Sequence, residues 1–173
     1  MSTGNLYRYF PSKLDIAEMF VRVLRREHAL KLRAVADEPG LSAQEKLRAF
    51  FMRKFQLAFE RVHDKPKAYE LSRELLTARP KVAIEWENAE ARVLTEILRQ
   101  GDQDGSFAID AAGDTARILQ DICYRFTSPT ALQDGDFDAL AAELNGVIDL
   151  ILDGFAWRAA KSAAAEKRKH AAS

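Results

Sequence analysis

From Lys13 to the far end of the chain, apolar residues recur at intervals of three and four, and nowhere do they alternate over the length of a strand. A period near 3.6 gathers such residues on one stripe of a helix, whereas a half-buried strand needs a period of two. That feature removes sheet architectures and predicts an all-α fold. The breaks agree with it. Pro39-Gly40, Pro66, Pro80, the run Gly101-Asp102-Gln103-Asp104-Gly105 and the stretch 129–135 interrupt the pattern with residues that stop helices.

The periodicity also predicts the faces. Ser12 is placed to cap a helix running from 13 to about 36, with Asp15 near the positive end of its dipole and Ile16, Met19, Phe20, Val23, Leu24 and Leu30 as its apolar face. Ser42 caps the next, whose stripe is Leu47, Phe50, Phe51, Phe55, Phe59 and Val62. A short helix is expected over about 67–77 and a longer one over about 81–100, then one over 111–127 presenting Ile118, Leu119, Ile122 and Phe126. Asp136 caps a last long helix with Leu140, Leu144, Val147, Ile148, Ile151, Leu152 and Phe155 on one side. Residues 161–173 are Ala-rich and basic and are expected to fray.

At 173 residues with 47% apolar and 30% charged side chains, the chain can bury one sizeable core. Its 26 basic residues equal its 26 acidic ones, so it is no polycation, but the charge is unevenly spread. Residues 1–36 carry seven Lys and Arg against three acids, while 134–153 carry six acids and no base. One end is thereby suited to an anionic partner. No stretch approaches the ~18–20 apolar residues that span a bilayer, and the N-terminus lacks the pattern of a secretion signal. No membrane partner is implied, and a cytoplasmic location is the expectation. Cys123 is alone and reads as a buried packing residue. His28, His63 and His170 lie far apart with no ligand spacing, and the Asp102–Gly105 turn fails as a calcium loop because Ala111 stands where a bidentate Glu is required. No metal and no cofactor are predicted. No nucleophile elbow, P-loop or dinucleotide fingerprint is present, and an enzyme is not expected.

The opening run Ser2-Thr3-Gly4-Asn5-Leu6-Tyr7-Arg8-Tyr9-Phe10-Pro11-Ser12-Lys13 is the most specific local signal. Ser2 can cap a short helix, Gly4 permits close approach of the backbone, Asn5 and Arg8 can donate hydrogen bonds, and Leu6 and Phe10 would face inward. The run resembles the recognition segment of the TetR (tetracycline repressor) family of transcriptional regulators, in which Ser-x-Gly-x-Leu-Tyr-x-x-Phe enters the major groove. By that resemblance Ser2, Thr3, Gly4, Asn5, Tyr7, Arg8 and Tyr9 stand where the family touches DNA, and Lys13 where it grips a phosphate. Arg8 is the expected base reader, with Tyr7 and Lys13 as backbone anchors. Two helices precede this segment in the family, whereas here only Met1 does. The expectation is a start assigned too far downstream and a longer natural protein. A chain that does begin here would bind DNA weakly and mostly through charge, because Leu6, Tyr7 and Phe10 lose their packing partners.

The resemblance divides the chain into 1–36, a partial DNA-binding domain; 37–160, a helical ligand-binding and dimerisation bundle; and 161–173, the tail. It implies a ligand-responsive repressor acting as a homodimer on double-stranded operator DNA and answering to a small-molecule effector. The alternative is a helical ligand-binding or dimerising protein with no DNA function. The aromatic residues either fill the core or line a pocket; Phe55, Phe59, Tyr69, Trp86, Tyr124 and Phe126 are the pocket candidates. Ile118, Ile122, Leu144, Ile148, Ile151 and Phe155 are the candidates for the dimer surface.

Overall fold

The computed structural model describes residues 12–171, and these are helical throughout apart from short turns. In chain order the helices are α1 (Lys13–Asp37), α2 (Ala43–Asp64), α3 (Pro66–Ala78), α4 (Pro80–Gln103), α5 (Ala112–Ile122), a 3₁₀ turn (Tyr124–Thr127), α6 (Pro129–Gln133) and α7 (Phe137–Ala171). The predicted 111–127 helix is therefore split at Cys123, the expected loop at 129–135 contains a helical turn, and α7 continues through the tail.

Local chemistry sets the boundaries. Ser12 accepts a hydrogen bond from the Asp15 amide, and Ser42 with Glu45 forms a reciprocal capping box at the start of α2. Pro66, Pro80 and Pro129 each occupy a first helical turn, where a missing N–H costs nothing. Gly40 and Gly105 take positive φ values of 88° and 80° in the turns after α1 and α4.

The centre of the bundle is α2, which packs on α1, α3, α4, α6, α7 and the 3₁₀ turn. Its stripe behaves as the periodicity predicts: Leu47, Phe50, Phe51, Phe55 and Val62 are buried, and Phe59 is partly so. Helix α7 runs antiparallel to it, with Arg48 reaching Asn145 and Asp149 while Phe55 stacks on Phe137 at 5.0 Å. Helix α1 runs beside α4 in the same sense, since Arg22 pairs with Glu85 and Arg33 with Glu96, an equal advance along both helices. A second, smaller core of Ala17, Val21, Leu75 and Val82 joins the first half of α1 to α3 and α4.

The inward face of α1 differs from the expected one. Met19, Phe20, Val23 and Leu30 are exposed, and the buried positions are Ala17, Val21, Arg25, His28, Leu32 and Ala36. The six apolar residues read from the sequence do share one stripe, but it lies largely on the side of α1 turned away from the buried one. The real stripe carries two polar residues that a hydrophobicity pattern passes over.

Candidate functional site

Arg25 and His28 sit at the wall of a cavity of about 650 Å³ bounded by α1, α2, α3, α4, α5 and the 3₁₀ turn. Its buried side is formed by Arg25, His28, Leu32, Leu57, Ala58 and Glu90, and Glu87, Asn88, Arg117, Asp121 and Tyr124 are exposed around it. A smaller cavity of about 270 Å³ adjoins it and shares Arg25, Arg61, Leu76 and Trp86, adding Tyr69, Ser72 and Thr77. The larger volume lies within the ~300–1,000 Å³ usual for small-molecule sites, and the mix of an apolar wall with a few converging polar groups is the usual composition.

Trp86 organises the polar part. The Arg25 guanidinium lies 3.5 Å from the centre of its ring and that of Arg61 5.0 Å, while the His28 ring centre is 6.2 Å away. Arg25 Nη1 donates to the Val82 carbonyl at 2.8 Å, which ties the middle of α1 to the start of α4. Its Nε and Nη2 atoms, and the Trp86 indole nitrogen, are buried without a hydrogen-bond partner among the described residues. Lys54 and Glu90 form a buried ion pair at 2.9 Å in the wall of the same cavity.

The electrostatics follow from this crowding. Burial lowers the Arg25 pKa to about 9, with Arg61 pushing the same way, so the group still carries its charge at neutral pH. Burial likewise lowers Arg61, with Glu90 and Tyr69 acting against it. His28 is pushed down to about 4, first by burial and then by Arg61, Lys31, Arg25 and Arg53, and is neutral at physiological pH. Two guanidinium groups thus crowd one indole ring, and neither has a carboxylate within salt-bridge reach among the described residues.

The candidate residues named from sequence fall into separate places. Trp86 and Tyr124 line the larger cavity and Tyr69 the smaller one. Phe55 and Phe126 are sealed in the main core, and Phe59 stacks on His63 at 4.0 Å, so these three pack rather than line. Arg25, His28, Lys54, Arg61 and Glu90 were missed; the available signal was a pair of polar residues, Arg25 and His28, spaced three apart between the small apolar Val21 and Leu32 of one stripe.

Among the surface candidates, Ile118 and Ile122 are exposed on α5, whereas Leu144, Ile148 and Phe155 are buried inside the chain and Ile151 is half-buried. Those three are packed into the main core of the chain, so they have no surface to offer a partner. The outward stripe of α7 is formed instead by Gly146, Leu150, Gly154 and Trp157, with Leu150 and Trp157 74% and 63% exposed. A Cβ at either glycine would meet nothing within 4 Å.

Of the residues matched to DNA contacts, Ser2, Thr3, Gly4, Asn5, Tyr7, Arg8 and Tyr9 lie outside the described residues. Lys13 is exposed at the start of α1 and pairs with Glu74 at 3.3 Å, a weak surface contact. Cys123 is buried, and burial raises its thiol to about 11, which leaves little thiolate. Among the described residues no three His, Cys, Asp or Glu side chains converge as metal ligands, and no helix is long and apolar enough to cross a membrane.

A family model for the tetracyclin repressor-like C-terminal domain matches residues 43–148, which is α2 through the first third of α7. No curated protein matches the chain.

Proposed function

The chain belongs to the tetracyclin repressor-like family, and from that premise we propose that it is a ligand-responsive, DNA-binding transcriptional regulator: a homodimeric repressor released from its operator by a small molecule held beside Trp86. The observation that carries this reading is the position of α1. The helix that follows directly on the Ser2–Lys13 segment also supplies Arg25, His28 and Leu32 to the wall of the large cavity. A ligand that prefers one placement of those side chains therefore acts on the element leading to the DNA-contacting segment.

Only differential affinity can drive such a switch, because a ligand equally at home in both placements shifts nothing. Arg79 couples the same end of α1 to the junction of α3 and α4: it pairs with Asp15 at 2.7 Å and also with Glu18. Movement of the cavity wall at α3 and α4 is thus passed to the first turn of α1. Two-fold pairing through the outward faces of α5 and α7 would set two recognition segments one DNA turn apart, ~34–36 Å, on a palindromic site.

The test is titration of the protein with labelled duplex from the region upstream of its own gene, at low and at physiological salt. A regulator making several phosphate contacts loses affinity on the order of a hundredfold or more between those conditions. Binding to DNA that is absent, or indifferent to salt, would leave the rival reading of a helical ligand-binding and dimerising protein.

A further inference from the structure

We infer that the effector is an organic anion of single charge, and that Arg61, at the point where three cavities meet, is the residue that reads that charge. The inference deepens the regulator reading and rests on it for the word effector, though not for the chemistry of the site.

Arg61 lies in the last turn of α2. It borders the cavities of about 650 and 270 Å³ and a third, of about 140 Å³, between α1, α2 and α3. The neighbouring cations are engaged or closed off. Lys54 is held by Glu90 at 2.9 Å, and the Arg25 nitrogens that do not reach Val82 are sealed from water. Arg61 is half-buried and has no hydrogen-bond or ion-pair partner among the described residues, yet its nitrogens stay open to water. Its neighbour Trp86, with the ring centre 5.0 Å from the guanidinium, offers a ring and no acceptor oxygen. A planar fork of N–H donors that borders a cavity and lacks a carboxylate of its own is the part of the wall that a ligand anion completes.

The charge of the wall has the same sign. On the inner side of the large cavity Arg25, Lys54 and Arg61 stand against one acid, Glu90, and His28 is neutral. The acids Glu87 and Asp121 are exposed and screened by water. Burial also disfavours the charged form of Arg61, against the pull of Glu90 and Tyr69, and an arriving anion offsets that cost.

The rest of the wall limits the ligand to one charge. Leu32, Leu57, Ala58, Leu76 and Ala91 make it largely hydrocarbon, and a second charge would have to be stripped of water with no free partner to meet it. A body larger than one ring fits, since ~150 Å³ is enough for benzene. Arg61 shares Trp86 with Arg25, which bonds the Val82 carbonyl, so an anion at Arg61 changes the field at the contact tying α1 to α4.

The experiment is titration of the full chain with 3-phenylpropionate, 3-phenylpropionamide, 3-phenylpropylamine and phenyl phosphate. Binding is read by calorimetry and by tryptophan emission in a Trp157→Phe background, which leaves Trp86 as the only indole. 3-Phenylpropionate is expected to bind at least about tenfold more tightly than its amide, and the amine more weakly still. In Arg61→Gln the acid-to-amide ratio should fall to about threefold or less, with far-UV circular dichroism unchanged. If that variant does not fold, Arg61→Lys decides: losing the fork, it should weaken the acid at least about threefold while keeping acid ahead of amine. Equal binding of acid, amide and amine, or a preference for phenyl phosphate, overturns the assignment of a singly charged anion. An unchanged ratio in a folded Arg61→Gln, an unchanged acid affinity in Arg61→Lys, or binding heat without a change in Trp86 emission overturns the assignment to Arg61. Failure of all four probes overturns the cavity as the effector site. Salt-sensitive binding of duplex DNA in the same preparation would still stand, so the regulator reading is judged separately.

Discussion

Glu90 is the buried acid of the cavity wall. It is 5% exposed, pairs with Lys54, and acts on both Arg25 and Arg61 from within α4. Removing one member of a buried pair leaves the other charge without compensation, a loss of ~3–5 kcal/mol when burial is complete. Lys54 keeps some access to water, so Glu90→Gln is expected to cost about 2–3 kcal/mol, measured by urea unfolding. His28 gives the fold a pH dependence of definite sign. Its folded pKa, about 4, lies below the unfolded value of 6.5. The unfolded chain therefore takes up the proton first as pH falls, and the stability contributed by the neutral ring is complete above pH 6.5 and lost toward pH 4. The loss should be on the order of 2–3 kcal/mol. Unfolding midpoints near neutrality and near pH 5 should converge in His28→Phe, and an unchanged pH slope in that variant would contradict the assignment.

At the scale of elements, the sequence was legible where burial and hydrophobicity coincide and illegible where they part. Helix α2 is read correctly because Leu47, Phe50, Phe51 and Phe55 are both apolar and central. Helix α1 is misread because its inward stripe includes Arg25 and His28, while Met19, Val23 and Leu30 point outward. Helix α7 is read correctly for its packing face, but Leu144, Ile148 and Phe155 turn out to serve that face alone. Contacts between distant segments, such as Arg25 with Val82 or Lys54 with Glu90, leave no local trace in the sequence, and these are the ones that build the cavity. The last turn of α4 shows how closely one element end can be fitted. A methyl group on Gly101 would lie 2.1 Å from the Phe107 ring, which is itself buried against Phe155 at 5.0 Å. Gly101→Ala must therefore displace Phe107, at an expected cost of about 2–3 kcal/mol, seen as a lowered thermal midpoint. A smaller loss, about 1 kcal/mol, is expected for Ser42→Ala, which dismantles the capping box of α2.

For the whole molecule, the proposed dimer depends on surface the monomer leaves uncovered. Gly146, Leu150, Gly154 and Trp157 lie along the outer side of α7, and Ile118 and Ile122 along that of α5. A carboxylate at Leu150 would be buried against a partner copy, so Leu150→Glu is expected to yield a species of 19.5 kDa in light scattering while far-UV circular dichroism stays unchanged. A dimer that survives this substitution would move the interface elsewhere. The crowding of Arg25 and Arg61 at Trp86 also bears on how long the protein lasts. A chain that holds two like charges against one indole is more prone to open when empty than when a ligand occupies the adjoining cavity, because binding to the folded state alone favours that state. Proteolysis in a cell tracks how often a protein opens. Occupancy would then be recorded twice, in the release of DNA and in the turnover of the sensor, so that the molecules that have met their ligand are also the ones that persist.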